Sequence, residues 1–222
     1  MIISDNNTLQ LWCTQVQHDT QLSYDFLSVC ERHRFKNIKR AHKKQEYLMS
    51  RALMRAACST YFNIDPSTLV FTERPHALPI ISPLPKNFFY SLSHSKGLIF
   101  FTIANQPIGI DIEKHLPRAN LIDTAEFFMS SVEHKKFMSL TSDSINYFYR
   151  LWCAKEAYFK SLPAQEQKQK SLQSIDYYSL RANNKVTTLL ELEVDQHYLA
   201  VFCQKKYQDI AINPLSLKQY NL

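Results

Sequence analysis

The chain has 222 residues but only two glycines, Gly97 and Gly109. Loops that wrap phosphates with backbone amides need several glycines close together, because the backbone must approach the phosphate groups closely. A Walker loop and a G-x-G-x-x-G dinucleotide turn are therefore both excluded. Any phosphate that this protein binds must be held by basic side chains, histidine, hydroxyl groups and ordinary backbone.

Basic residues are concentrated in the first half of the chain. The 26 lysines and arginines exceed the 20 acidic residues and give a net charge of +6. Between residues 32 and 55 a single acidic residue, Glu46, accompanies nine basic ones: Arg32, Arg34, Lys36, Lys39, Arg40, Lys43, Lys44, Arg51 and Arg55. Such a cluster indicates a polyanionic partner, whether nucleic acid, phosphorylated cofactor, anionic lipid or acidic protein. The simpler alternative is a solvated helix face.

Composition and cysteine usage indicate a globular protein of the cytoplasm. Hydrophobic residues make up 45% of the chain and charged residues 21%, which are ordinary values for a folded domain. The five cysteines are widely spaced and form no C-x-x-C pair, which argues against a disulfide framework or a zinc site. The first residues lack a signal-peptide pattern, and no apolar run is long enough to span a bilayer.

The spacing of apolar residues predicts an α+β fold. It predicts helices over 43–62, 119–140 and 144–162, and a capping box from Ser130 to Glu133 indicates that a new helix starts within the second range. Residues 163–173 are predicted to be a linker. Strands are predicted near 9–16, 69–72, 79–81, 88–92, 98–104, 108–113, 174–180, 186–194 and 197–203.

Two acidic side chains share one face of the strand predicted at 108–113. Alternation along a strand places Gly109, Asp111 and Glu113 on one face and three isoleucines on the other. Two carboxylates beside a glycine that leaves space form a plausible Mg²⁺ site. On the helix that follows, Glu156 and Lys160 are one turn apart and could add a third carboxylate and a phosphate contact. The alternatives are an exposed polar strand face and a surface Glu–Lys pair.

A third motif, Ser93-His94-Ser95, places two hydroxyls and an imidazole at a strand end. These groups can bind an anion or carry a proton, although a structural histidine is the simpler interpretation. No G-x-S-x-G elbow accompanies the serines, so a hydrolase triad is not supported.

Taken together, these motifs resemble the 4′-phosphopantetheinyl transferase superfamily, and most of all its larger, monomeric type that activates peptide synthetases such as surfactin synthetase. The family pattern is a strand with Ile/Val-Gly-Ile/Val-Asp and then a helix with Trp-x-x-Lys-Glu-x-x-x-Lys. This chain has IGIDIEKH at 108–115 and LWCAKEAYFK at 151–160, preceded by SLSHS at 91–95 and by a basic helix with Arg51 and Arg55. The resemblance covers residues 30–165 in the family's order.

The resemblance implies transfer of the phosphopantetheine arm of coenzyme A to a serine of an apo acyl or peptidyl carrier protein, with Mg²⁺ and with release of 3′,5′-ADP. It also implies two similar α+β halves, residues 1–106 and 107–222, related by a pseudo-two-fold axis and holding the active site in the cleft between them. The expected molecule is a cytoplasmic monomer that binds neither nucleic acid nor membrane.

Matching positions assign the site residues. The metal carboxylates would be Asp111, Glu113 and Glu156, and Glu156 could also accept the serine proton. Catalytic roles would further fall to Lys155, Lys160 and His94. Coenzyme A contacts would come from Arg34, Lys44, Arg51, Ser93, His94, Asp111, Lys155 and Lys160.

One position departs from the family pattern, which often has Gly-Lys-Pro before the Ser-His strand. Here Ala77-Leu78-Pro79 stands in its place, so Leu78 replaces a lysine that would reach a phosphate of coenzyme A. Arg74 or His76 could compensate.

Two other functions would use the same residues. A non-catalytic nucleic-acid-binding domain would explain the basic cluster, but without a metal the three carboxylates would repel a phosphate backbone. A Mg²⁺-dependent phosphohydrolase would direct the same carboxylates at water.

Overall fold

The computed structural model describes residues 7–16, 23–75, 77–182 and 187–217. The chain forms two compact units of mixed α+β structure: residues 1–88, 97–105 and 208–222 make up the first, and residues 89–96 and 106–207 the second. These units differ in two segments from the predicted halves. Residues 89–96 lie with the second unit, and the C-terminal segment from residue 208 lies with the first.

The first unit combines two helices with strands from distant parts of the chain. Its elements are β1 (Thr8–Gln15), α1 (Val29–Asn37), α2 (Ala41–Phe62), β2 (Val70–Arg74), β3 (Ala77–Ser82), β5 (Leu98–Ala104) and β9 (Asp209–Pro214). Strand β1 pairs antiparallel with β5 and parallel with β9, while β2 and β3 form a separate antiparallel pair. The apolar stripe of α2 is buried, which confirms the helix predicted at 43–62.

The second unit contains the remaining strands and helices. Its elements are β4 (Phe89–Ser95), β6 (Ile108–Lys114), α3 (Leu121–Phe128), α4 (Ser131–Met138), α5 (Ser144–Ser161), α6 (Ala164–Gln167), α7 (Tyr177–Arg181), β7 (Thr188–Val194) and β8 (His197–Cys203). Strand β8 lies between β6 and β7 and is antiparallel to both. The core contains an aromatic cluster, which includes Phe128 of α3 and Phe148 and Tyr149 of α5.

Helix caps explain several boundaries. Ser130 caps α4 and forms a complete capping box with Glu133, as the sequence predicted. A second capping box joins Ser28 to Glu31 at the start of α1, a helix that the apolar pattern did not indicate. The strand predicted near 174–180 is wrong: Asp176 caps the short helix α7 there, because its carboxylate accepts the N–H of Ser179.

Candidate active site

Helix α5 packs directly against the polar face of β6. A Cβ added to Gly109 would lie 1.9 Å from the carbonyl oxygen of Ala157, so glycine is needed here for the helix backbone to approach the strand. The expectation that Gly109 leaves space for a cation is therefore wrong, since the backbone of α5 fills that space. The close approach instead brings Asp111 and Glu113, on the same face of β6, toward the side chains of α5.

Three serines of β4 lie along β6. Their hydroxyls accept backbone N–H groups of β6 at alternate residues: Ile110 to Ser91 at 3.0 Å, Ile112 to Ser93 at 3.2 Å and Lys114 to Ser95 at 3.1 Å. Two of these hydroxyls also donate to carboxylates, from Ser93 to Asp111 Oδ1 and from Ser95 to Glu113 Oε2, each at 2.9 Å. The SLSHS motif thus satisfies the strand backbone and orients both acidic side chains.

Lys160 completes this group from the last turn of α5. Its Nζ lies 2.6 Å from Asp111 Oδ1 and 3.4 Å from the hydroxyl of Ser93. Burial disfavours a charged lysine here, but the adjacent Asp111 outweighs burial and raises the pKa of Lys160. The ammonium group is therefore held in its charged form beside the carboxylates.

Glu156 lies one turn before Lys160 and is half-buried. Burial raises the pKa of Glu156; Lys160 opposes this rise, and the negative charges of Asp111 and Glu113 add to it. Burial likewise raises the pKa of Glu113, against the hydrogen bond from Ser95 and with a contribution from Asp111. The three carboxylates therefore interact with one another, and a cation among them would relieve their repulsion.

The donor set suits a hard cation. Oδ2 of Asp111 is buried and has no hydrogen-bond partner within the described residues, which leaves one carboxylate oxygen available. Among all the residues that the structure describes, no group of three or more His, Cys, Asp or Glu side chains is arranged to hold a metal ion. The other oxygen of Asp111 accepts a hydrogen bond from the ammonium group of Lys160.

Lys155 does not join this group, although the resemblance assigned it to the reaction centre. It is fully buried and faces the core, where its Nζ pairs with Glu133 and donates to the carbonyl of Phe128. Glu133 also accepts the N–H groups of Ser130 and Tyr177. Lys155 and Glu133 thus tie α5 to the starts of α4 and α7.

Two of the three basic residues predicted to bind phosphate from the first unit, Arg34 and Arg51, are engaged in ion pairs there. Arg51 is 4% exposed and pairs with Glu73 at 2.6 Å and with Glu31 at 3.4 Å. Arg34 is exposed and also pairs with Glu73. Lys44 lies over the ring of Phe35, 5.2 Å from its centroid. The basic cluster is therefore partly internal, which weakens the interpretation of α2 as a nucleic-acid-binding face.

His94, Arg74 and His76 are the remaining residues that the sequence analysis named. His94 is exposed and lies on the opposite face of β4 from Ser93, because side chains alternate along a strand. Arg74 donates to the carbonyl of Leu78 at 2.8 Å, so the two residues at the departure from the family pattern are neighbours. His76 lies outside the described residues.

Sequence reasoning missed the contacts of four residues that shape these sites. Ser91 and Ser95 were identified only as part of the SLSHS motif, and their hydrogen bonds to β6 could have been expected from the alternate spacing of serines in β4. Glu133 was identified as part of a capping box, but not as the partner of Lys155. Glu73 carries no local signal, because its partners Arg34 and Arg51 are 39 and 22 residues away.

Comparison with known proteins identifies the class. The sequence model of the 4′-phosphopantetheinyl transferase superfamily matches residues 107–212, which include β6 and α5. The chain is 30% identical over 182 residues to the 4′-phosphopantetheinyl transferase Sfp of Bacillus subtilis (strain 168), covering 82% of this chain and 77% of that protein. It is 29% identical over 132 residues to the 4′-phosphopantetheinyl transferase gsp of Aneurinibacillus migulanus, covering 58% of this chain and 52% of that protein.

These relatives define an enzyme of the transferase class. The fold and the three carboxylates on β6 and α5 agree with this class. The chain belongs to the 4′-phosphopantetheinyl transferase superfamily, and its likeness to Sfp supports the surfactin-activating type within it. None of the helices in the described residues is long and apolar enough to cross a membrane.

Proposed function

We propose that this enzyme transfers the phosphopantetheine arm of coenzyme A to a serine of an apo acyl or peptidyl carrier protein and releases 3′,5′-ADP. The observation that carries the proposal is the convergence of Asp111, Glu113, Glu156 and Lys160 within the region matched by the family. Phosphoryl transfer depends mainly on positioning and on neutralising charge, and this group offers both anionic and cationic side chains for that purpose.

Asp111, Glu113 and Glu156 would hold a Mg²⁺ ion. When bound, the ion would neutralise charge on the pyrophosphate of coenzyme A. Support comes from the available Oδ2 of Asp111 and from the mutual repulsion of the carboxylates. Lys160 would then bind a phosphate oxygen, since a phosphate can replace Asp111 as the partner of its ammonium group.

The serine of the carrier protein must lose a proton as it attacks. We assign its acceptance to Glu156, directly or through water, because this half-buried carboxylate lies on α5 one turn before Lys160, beside the proposed cation site. Lys155 is assigned a positioning role, because its ammonium group is buried against Glu133. His94, Ser93 and Arg34 keep the assignment to coenzyme A that the family resemblance implies, as do Lys44 and Arg51.

Family resemblance also supports an architecture of two similar α+β halves. It supports a cytoplasmic monomer as well.

A direct assay tests the activity. The protein is incubated with coenzyme A, Mg²⁺ and an apo carrier protein, and the carrier is weighed by intact-mass spectrometry. The proposal predicts an increase in carrier mass by one phosphopantetheine group. A phosphohydrolase would release phosphate and leave the carrier unchanged, and a non-catalytic domain would do neither.

A further inference from the structure

The side chain of Glu73 on β2 is held by three donors from α1 and α2. Arg51 Nη2 donates to Glu73 Oε1 at 2.6 Å, and the hydroxyl of Tyr47 donates to the same oxygen at 2.7 Å. Arg34 Nη1 donates to the other oxygen, Oε2. Two guanidinium groups and a phenol thus converge on one carboxylate, and we call these three donors the anion site.

The anion site has a buried side and an open side. The side chain of Arg51 is 5% exposed, that of Glu73 is 16% exposed and that of Arg34 is 48% exposed. Burial opposes a charge on Glu73, but the hydrogen bonds from Arg51 and Tyr47 outweigh it and lower the pKa of this carboxyl. The site therefore stabilises an anion that solvent can reach.

The donor chemistry fits a phosphate group at least as well as a carboxylate. Arginine side chains bind the oxygens of either group through paired N–H donors, and a phosphate carries more negative charge. Lys44 lies over the neighbouring ring of Phe35, and that ring stacks at 6.4 Å on Tyr47. A further cation therefore lies on the ring that stacks against Tyr47.

The arginines do not depend on Glu73 alone. Glu31 is fully buried; it lies 3.4 Å from Arg51 Nε and also pairs with Arg55 at 2.6 Å. If Glu73 moves away, Arg51 keeps an anionic neighbour. The displacement of Glu73 by another anion would therefore not leave an uncompensated buried charge, which is the most costly outcome of breaking an ion pair.

We propose that Glu73 is an internal competitor of coenzyme A: it occupies the anion site until a phosphate group of coenzyme A displaces it, and it thereby sets the affinity for this substrate. This inference rests on the proposed function, since that function supplies the ligand. Coenzyme A that enters the anion site must first break the contacts of Glu73 with Arg34, Arg51 and Tyr47. Glu73 therefore weakens the binding of coenzyme A.

The test measures the affinity for coenzyme A by isothermal titration calorimetry, without carrier protein. Glu73→Gln removes the competing charge and keeps the size of the side chain. We expect it to lower the Kd for coenzyme A by about two- to fivefold, which corresponds to one partly exposed ion pair. Arg34→Gln, added to Glu73→Gln, should reverse much of the gain, because it removes a donor that the phosphate would use.

Glu46→Gln is the matched control. It changes the net charge equally and lies in the same basic stretch, and its carboxylate pairs with Lys43 at 2.6 Å. If both variants tighten binding equally, the effect is general electrostatics and the inference is wrong. An unchanged or raised Kd in Glu73→Gln alone also overturns it.

Two further results keep the inference and the proposed function apart. If Glu73→Gln does not fold, Glu73→Asp takes its place, because it retracts the carboxylate by one methylene. Glu73→Asp should lower the Kd for coenzyme A by a smaller factor. An unchanged Kd in this variant overturns the inference. If wild-type protein binds coenzyme A and modifies a carrier while Glu73→Gln shows no gain, the inference fails and the function stands. If wild-type protein does not bind coenzyme A, both fail.

Discussion

The hydroxyl of Ser93 donates a hydrogen bond to Asp111 while it accepts the backbone N–H of Ile112. One small side chain thus joins the edge of a strand to a carboxylate of the candidate active site. Because Ser93 is buried, removal of its oxygen would take this acceptor from the N–H of Ile112 and would leave Asp111 Oδ1 with Lys160 as its remaining partner. The orientation of Asp111 therefore depends on β4 as well as on β6.

Ser93→Ala should reduce both stability and transfer. We expect a loss of about 1–3 kcal/mol in the free energy of unfolding, the cost of an unsatisfied buried polar group. Ser91→Ala is the matched control, because Ser91 is equally buried and accepts the N–H of Ile110, while the structure shows no bond from its hydroxyl to a carboxylate among the described residues. Urea denaturation and the transfer rate measure the two effects. Equal losses of transfer in the two variants would contradict the role given to Ser93.

Lys155→Met should destabilise the protein by about 3–5 kcal/mol, because it leaves Glu133 as an unpaired buried charge. Adding Glu133→Leu should restore part of that stability, since it removes the second charge. Urea denaturation of the single and double variants measures both changes. A stable Lys155→Met protein that has lost transfer would instead place Lys155 at the reaction centre, as the family resemblance implied.

The carboxyl of Glu73 should make the free energy of unfolding depend on pH in the acidic range. Its pKa is lowered in the folded protein, so over the range below its ordinary value of 4.5 the unfolded chain binds more protons than the folded one. The stabilisation is present above that value and is lost as pH falls through the lowered pKa. Between about pH 7 and about pH 3, Glu73→Gln should therefore lose less unfolding free energy than the wild type. Denaturation curves over this range test the expectation, and identical losses would contradict it.

Local signals in the sequence were sufficient for much of the second unit. The alternation at 108–113, the i, i+4 row of Glu156 and Lys160, and the capping box at Ser130 each report on neighbouring residues, and the structure contains β6, α5 and α4 at these places. The resemblance to the transferase family added the hypothesis that the acidic residues of 108–113 and Glu156 form one Mg²⁺ site. Physical pattern alone would have left the acidic residues as an exposed strand face.

Long-range partners could not be predicted in this way. Strand β9 pairs parallel with β1, and Thr8 lies opposite Asp209, a contact that no local pattern encodes. The row of basic residues on α2 resembled a phosphate-binding face, but Glu31 and Glu73 approach from other elements and neutralise Arg51. Lys155 is adjacent in sequence to Glu156, yet a step of one residue on a helix turns its side chain toward the core.

The most direct test of the account compares wild-type protein with Asp111→Ala in the carrier modification assay. Asp111 offers an available oxygen to a cation and is paired with Lys160, so its loss should abolish transfer while circular dichroism shows a folded protein. Asp209→Asn, which removes an exposed carboxylate in the first unit, should behave like the wild type. We predict that wild-type protein adds one phosphopantetheine group to the carrier, that excess EDTA prevents the addition, and that Asp111→Ala adds none. Full modification by Asp111→Ala, or by wild-type protein in excess EDTA, would contradict the assignment of the site.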